Sequence, residues 1–173
     1  LLKMLSVLDN DISVELVKAE EKAISLDAKD SGAKVRYMLS DLSVINTPPQ
    51  LKQIPEFELL LNVDKTFVSK FISGKGALPD TESFTIVSGD NPEVVIGYSS
   101  IATNRVAVPV ENQTDNTIDN ISFNANLFKD VLEANKECES AVLEVSSEGL
   151  ARITFNVNDY ESTYYLVAVQ NVN

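Results

Sequence analysis

The residues that ordinarily carry catalysis are sparse in this sequence. None of the 173 residues is histidine, so the usual neutral-pH general base and commonest metal ligand is missing. That weighs against Ser-His-Asp hydrolases, Cys-His proteases and zinc enzymes. The one cysteine, Cys138, has no histidine to activate it, lies near the end of a helical pattern and reads as a structural thiol. A lone cysteine also excludes an intrachain disulfide, which fits a reducing compartment. Gly74-Lys75-Gly76 is a scrap of a phosphate-loop pattern, but it follows a helix instead of opening one and reads as a helix stop. Asp9, Asn10 and Asp11 lack EF-hand spacing and read as a helix-to-strand turn. Carboxylates are plentiful, yet none sits in an acid/base motif. The expectation is a protein that is not an enzyme and needs no cofactor or metal.

What remains is a question of where a few cations sit. The chain carries 14 Lys and Arg against 26 Asp and Glu, a formal net charge of −12. A uniformly basic, DNA-coating surface is therefore excluded, but a local basic face is not. Residues 65–73 have a helical pattern: Phe67, Val68, Phe71 and Ile72 fall on one arc, and Lys65, Thr66, Ser69, Lys70 and Ser73 on the other. Asp64 is its expected N-cap, and Gly74 and Gly76 its expected end. A second helix is expected over 126–136, with Leu127, Phe128, Val131, Leu132 and Ala134 apolar and Lys129, Asp130, Glu133 and Lys136 polar. A third covers Leu1–Leu8, with Lys3 and Ser6 on its polar side. A polar helix face is ordinarily just solvated. On 65–73, however, lysines stand among small hydroxyls with no acid after the cap, a composition suited to sequence-independent phosphate contact.

These helices must be positioned by strands. Phe57–Val63 leads into the helix at 65, and runs at Ser83–Ser88, Glu93–Tyr98 and Asn104–Val110 follow it. Ile121–Ala125 leads into the second helix, followed by Ala141–Ser146, Ala151–Val157 and Ser162–Val169. The first helix is followed by Ile12–Lys18, Lys22–Asp27 and Ala33–Leu39, with a turn at Lys29-Asp30-Ser31-Gly32. Helices thus recur every ~60 residues, the mark of a repeated strand, helix and three-strand unit. The second and third copies span about 57–110 and 121–173. Residues 42–56 form an extended connector whose Pro48, Pro49 and Pro55 forbid a helix or central strand, and whose apolar Val44, Ile45, Leu51 and Ile54 suit a surface groove. Glu111–Asn120 reads as a mobile polar loop. No apolar run approaches the ~20 residues that span a bilayer. No signal peptide is apparent in Leu1–Asp9, and the start inside a helical pattern suggests a fragment.

A strand, helix and three strands, repeated and joined by a proline-containing apolar connector, is the pattern of DNA sliding clamps. The chain most resembles the T-even tailed-phage type, a polymerase processivity factor. Leu1–Leu8 (LLKMLSVL) resembles the second helix of that clamp's first domain, Asn46–Phe57 (NTPPQLKQIPEF) its interdomain connector, and Tyr165–Val169 (YLVAV) its last strand. The resemblance implies an α+β DNA-clamp fold with helices on one face of antiparallel sheets. Residues 1–41 would be the second half of a first domain that lacks roughly the first quarter of the full chain, and 57–173 a complete second domain. It implies a non-enzymatic subunit that encircles double-stranded DNA without sequence specificity in the cytoplasm of an infected bacterial host. Its partners would be a replicative DNA polymerase, a clamp-loader ATPase and, when complete, two further copies in a homotrimeric ring, with no membrane. Lys3, Lys65, Lys70, Lys129 and Lys136 would face the hole, with Lys75 at its rim. Subunits would join through edge strands containing Lys34, Val35, Arg36 and Tyr37, and Arg105, Val106, Ala107 and Val108. Val44, Ile45, Leu51, Ile54, Tyr165 and Leu166 would line a groove for partner peptides, ordinary core packing being the alternative for each. The competing reading is a non-enzymatic β-rich phage structural or assembly protein.

Overall fold

The computed structural model describes residues 1–9, 11–45, 53–99 and 103–169. The chain divides into two units, Leu1–Lys52 and Gln53–Asn173.

The first unit contains α1 (Leu2–Leu5), β1 (Ser13–Ala19), β2 (Lys22–Lys29) and β3 (Lys34–Met38), the strands forming one antiparallel sheet in that order. The helix expected over Leu1–Leu8 is a single turn with no side-chain cap and no buried residue. So short a helix cannot hold itself in water. Glu20 and Glu21, both at positive φ (48° and 69°), join β1 to β2. This is the tight two-residue hairpin geometry that Asn and Gly usually fill, so two glutamates gave no turn signal. The Lys29–Gly32 turn forms as expected: the Asp30 carboxylate accepts from the Gly32 and Ala33 amides at 2.7 and 2.6 Å and from the Asp9 amide at 2.7 Å. A 3-10 turn at Leu42–Val44 opens the connector, upstream of its prolines. Pro48, Pro49 and Leu51 lie outside the described residues.

Register sorts this sheet into two faces. Val14, Ala28 and Val35 stand opposite one another, as do Leu16, Leu26 and Tyr37. The other face carries Glu15, Asp27 and Arg36. The apolar face is covered only in part: Ala28 and Val35 are buried, but Val14 is 57 % exposed and Leu16 48 %.

The second unit contains β4 (Leu59–Asp64), α2 (Lys65–Ala77), β5 (Ser83–Val87), β6 (Glu93–Ile96), β7 (Val106–Pro109), β8 (Ile121–Asn124), α3 (Ala125–Ala134), β9 (Ser140–Val145), β10 (Leu150–Val157) and β11 (Tyr160–Val167). Each leading strand passes into its helix without a loop, and its last residue is the cap. Asp64 accepts from the Phe67 amide at 2.7 Å and Asn124 from the Leu127 amide at 2.9 Å.

The two copies exchange their leading strands. One sheet has the order β11-β10-β9-β4 and the other β7-β6-β5-β8. Thus β4, from the earlier copy, pairs with β9, and β8 pairs with β5. The tail after each third strand then returns to the exchanged strand. The Asn62 amide donates to the Glu111 carbonyl and the Gln113 amide to the Leu60 carbonyl, while the Val169 amide donates to the Ser122 carbonyl. Each sheet is therefore completed by a strand from the other copy.

A phenylalanine cluster fixes the helices over this interlock. Phe71 of α2 meets Phe84 of β5 and Phe128 of α3 edge-on, with ring centroids 5.3 and 5.0 Å apart, and Phe84 stacks on Phe128 at 4.9 Å. Such pairs add ~0.5–1.5 kcal/mol each beyond area burial. All three rings are fully buried.

Three expectations need correction. First, α2 does not stop at Gly74 but runs to Ala77, ahead of Pro79. Gly74 is there for close approach: a Cβ would lie 2.8 Å from Val106 Cγ1 and 3.3 Å from Ile96 Cδ1. Second, Leu127 and Ala134 are exposed, because α3 begins at Ala125 and buries Ala125, Phe128 and Leu132 instead. Third, Glu111–Asn120 is tied down. Asn112 Oδ1 accepts from the Thr114 amide and Nδ2 donates to the Asn116 carbonyl. Thr114 and Asn116 side chains donate to the Glu58 carbonyl, and Ser88 brackets Ile118 through both its N–H and carbonyl.

Candidate nucleic-acid interface

Five of the six lysines expected to meet DNA lie in the second unit, but only Lys65, Lys70 and Lys129 stand on the polar sides of its helices, and on unequal terms. Lys70 is exposed at mid-helix between Thr66, Ser69 and Ser73, all exposed. Among the described residues it makes no ion pair. Lys65, on the first turn of α2, reaches Glu139 with Nζ to Oε1 at 3.1 Å. Lys129 pairs with Glu133 one turn along α3 at 2.7 Å. Lys136 is exposed but lies in the turn after α3, not on the helix. Lys3, in the first unit, is exposed on α1.

Lys75 is a correction. It is only 4 % exposed, and its ammonium donates to the carbonyls of Pro79 at 2.8 Å and Leu78 at 3.4 Å. It closes the C-terminal end of α2, where a cation also meets the negative end of the helix dipole, and it is not a rim residue. Once the helix continues past Gly74, position 75 follows Phe67 and Phe71 at intervals of four and falls on the buried arc. That spacing is present in the sequence but is hidden when Gly74 is taken for a stop.

The proposed edge strands do lie at sheet ends, where β3 and β7 each pair on one side only. Lys34, Val35, Arg36 and Tyr37 are in β3; Val106, Ala107 and Val108 are in β7, with Arg105 just before it. Val35 and Val108 turn their side chains inward, so these edges offer backbone groups. Arg36 is engaged by Asp27, with Nη2 to Oδ2 at 2.6 Å. The Arg36 hydrogen bond holds the Asp27 carboxyl below its usual range, and the same bond raises the guanidinium.

The groove residues separate. Val44 and Ile45, in the first unit, are exposed, as are Ile54 and Tyr165 in the second. Leu166 is 6 % exposed and belongs to the core, because strand alternation turns it away from Tyr165. Leu51 lies outside the described residues. Tyr165 stands opposite Arg152, which is forked onto Glu144 with its guanidinium 4.7 Å from the centroid of the Phe57 ring. Sequence reading missed this Phe57–Arg152–Glu144 cluster, since its members come from β10, β9 and the segment just before β4 and meet only through strand pairing. Tyr164, Tyr165 and Leu166 of β11 line a largely apolar groove with Leu127, Val131 and Ala134 of α3.

Glu58 ties the start of β4 to the β9–β10 turn. Its carboxylate accepts from the Ser147 hydroxyl and amide, and the hydroxyl bond is the main cause of its lowered pKa. Cys138 donates its thiol hydrogen to the Ser140 carbonyl at 3.1 Å. Among the described residues no group of three His, Cys, Asp or Glu side chains could hold a metal ion, and no helix is long and apolar enough to cross a membrane.

No family model matches the chain, and no curated protein matches it in sequence. Among solved structures it is similar to the crystal structure of Proliferating Cellular Nuclear Antigen from Entamoeba histolytica, with a TM-score of 0.65 and 14% sequence identity over 97% of this chain and 68% of that one. The chain therefore has the DNA-clamp fold, an α+β arrangement of antiparallel sheets with helices on one face.

Proposed function

We propose that this chain is a sliding-clamp subunit that encircles duplex DNA without sequence specificity and tethers a replicative DNA polymerase. The observation that carries the reading is the helix pair of the second unit. The interlocked sheets hold α2 and α3 side by side, and α2 presents Lys70 among Thr66, Ser69 and Ser73 in a protein that is otherwise strongly acidic. Scattered phosphate contacts of this kind give grip without register, so DNA can slide, and acidic outer surfaces repel DNA elsewhere. Enclosure itself supplies processivity, so the chain acts without catalysis. A clamp-loader ATPase opens the ring, which is a homotrimer when its subunits are complete. The chain is of the T-even phage type and works in the cytoplasm of an infected bacterial host.

The test is a primer-extension assay with loader and polymerase. A clamp gives a loader-dependent gain in product length. The double variant Lys65→Glu and Lys70→Glu shortens retention on circular DNA and flattens the dependence of log affinity on log salt by roughly 1 to 2, at most about 0.9 for each phosphate no longer neutralised. A folded wild-type protein that gave no length gain and formed no rings would instead point to a structural or assembly protein.

A further inference from the structure

The lysines of the helix face have acidic rivals built into the same fold, and their placement is not left to side-chain chance. In the β4–β9 ladder Asp64 stands opposite Ser140. The first residue of α2, Lys65, therefore lies beside Glu139, and the exchange of leading strands creates the pair at 3.1 Å. Glu139 is 90 % exposed and Lys65 59 %, so neither is needed for the core. Lys129 meets Glu133 at helical i,i+4 spacing, 2.7 Å apart.

We propose that Glu139 and Glu133 act as internal phosphate mimics, competing with DNA for Lys65 and Lys129 and so setting how tightly the helix face grips. This deepens the clamp reading and rests on it. An exposed carboxylate–ammonium pair shifts an equilibrium by no more than about fivefold. A phosphate can displace it, but each such contact is discounted by the pair it breaks. Lys70 engages at full strength, whereas Lys65 and Lys129 engage only by exchange. A face built this way holds DNA weakly and evenly, which lowers the barrier to moving from one set of phosphates to the next.

The experiment is fluorescence anisotropy of the 173-residue chain with a labelled ~20-bp duplex of arbitrary sequence, across a salt series. The variants are Lys70→Glu, Glu139→Gln, Glu133→Gln, the double glutamine variant, and Glu137→Gln. Glu137 is exposed and, among the described residues, makes no ion pair, so it controls for loss of one negative charge. The expected results are a 2- to 5-fold tightening for each of Glu139→Gln and Glu133→Gln, about tenfold for the double variant, and a steeper salt dependence by up to roughly 2. Glu137→Gln should move affinity by less than half as much. Equal tightening by Glu137→Gln, or no tightening by the double variant while Lys70→Glu still weakens binding, would overturn the proposal and leave the clamp reading standing. If Lys70→Glu leaves binding unchanged, the clamp reading itself fails.

Discussion

The two units use the same three-strand meander, yet they treat their apolar residues differently. In the second, each sheet has a leading strand from the other copy along one edge and a helix over its inner face, and Leu61, Leu143 and Ile153 are fully buried. In the first, β1 has a free edge, α1 is one turn long, and Val14 and Leu16 remain half exposed on an apolar face. Charge follows the same division. Residues 1–52 carry 7 Lys and Arg against 8 Asp and Glu, and residues 53–173 carry 7 against 18. The comparison shows what the exchange of strands accomplishes: it converts two halves, each with an open edge and a bare face, into one closed core. The acidic surplus belongs to the unit that is closed.

The sharpest way to break this comparison is to truncate one leucine in each unit. Leu143→Ala leaves a cavity in a packed core and should cost ~3 kcal/mol, within the 2–5 typical of such sites. Leu16→Ala, at a half-exposed position, should cost less than ~1 kcal/mol. Residue-resolved hydrogen exchange reads both, because it separates local opening of the first sheet from global unfolding. If Leu16→Ala costs as much as Leu143→Ala, the first sheet has a covered face and the contrast is wrong.

A finer test compares two glycines of α2. Gly74→Ala gains up to ~1 kcal/mol of helix propensity but drives a Cβ to 2.8 Å from Val106 Cγ1. Overpacking of that kind costs ~1–3 kcal/mol, so the net effect should be a loss of ~1–2 kcal/mol. Gly76→Ala meets nothing within 4 Å and should stabilise by ~0.5–1 kcal/mol. Urea denaturation of the two variants decides it. A stabilising Gly74→Ala would mean that the helix can lift away from β6 and β7, and that closure of the second unit is looser than described.

Much of this fold was legible in the residues, and the failures have physical causes. Strand alternation, the Asp64 cap and the Lys29–Gly32 turn are local signals, and they located nearly every strand. Which strand pairs with which is not local: nothing in Leu59–Asp64 says that its neighbour is Ser140–Val145 and not the β5 strand that follows its own helix. The Glu20–Glu21 hairpin was silent because the ladder on either side forces a conformation those residues do not prefer. Of the candidate site, Lys65 and Lys70 were readable from helical spacing. Their rank was not, because the partner of Lys65 comes from 74 residues away. Lys75 was misplaced for a different reason: a packing contact keeps a helix running through a residue that usually ends one.

The smallest effect expected concerns acid. In the first unit the Asp27, Asp30 and Asp41 carboxyls are all held below the usual carboxylate range of 3.8: Asp27 chiefly by the Arg36 hydrogen bond, Asp30 by the Asp9 backbone amide and Asp41 by the Ser43 amide. In the second unit Glu58 is held below 4.5, chiefly by the Ser147 hydroxyl. A carboxyl lowered by folding adds stability above its unfolded pKa and loses it as pH falls through the folded value. Both units should therefore weaken below about pH 4, with the first losing amide protection at the higher pH, because three such groups act on a sheet with little core. None of the four is buried, so the change is a modest drift and not a cooperative collapse. Salt distinguishes the causes. In 1 M salt, where the screening length falls to about 3 Å, the acid sensitivity of Asp27 should shrink because it depends on the Arg36 charge. That of Asp30 should persist because backbone amides hold it. Carboxyl carbon chemical shifts followed through the titration measure both; a salt response from Asp30 as large as that from Asp27 would show that charge, and not the turn, holds Asp30 ionised.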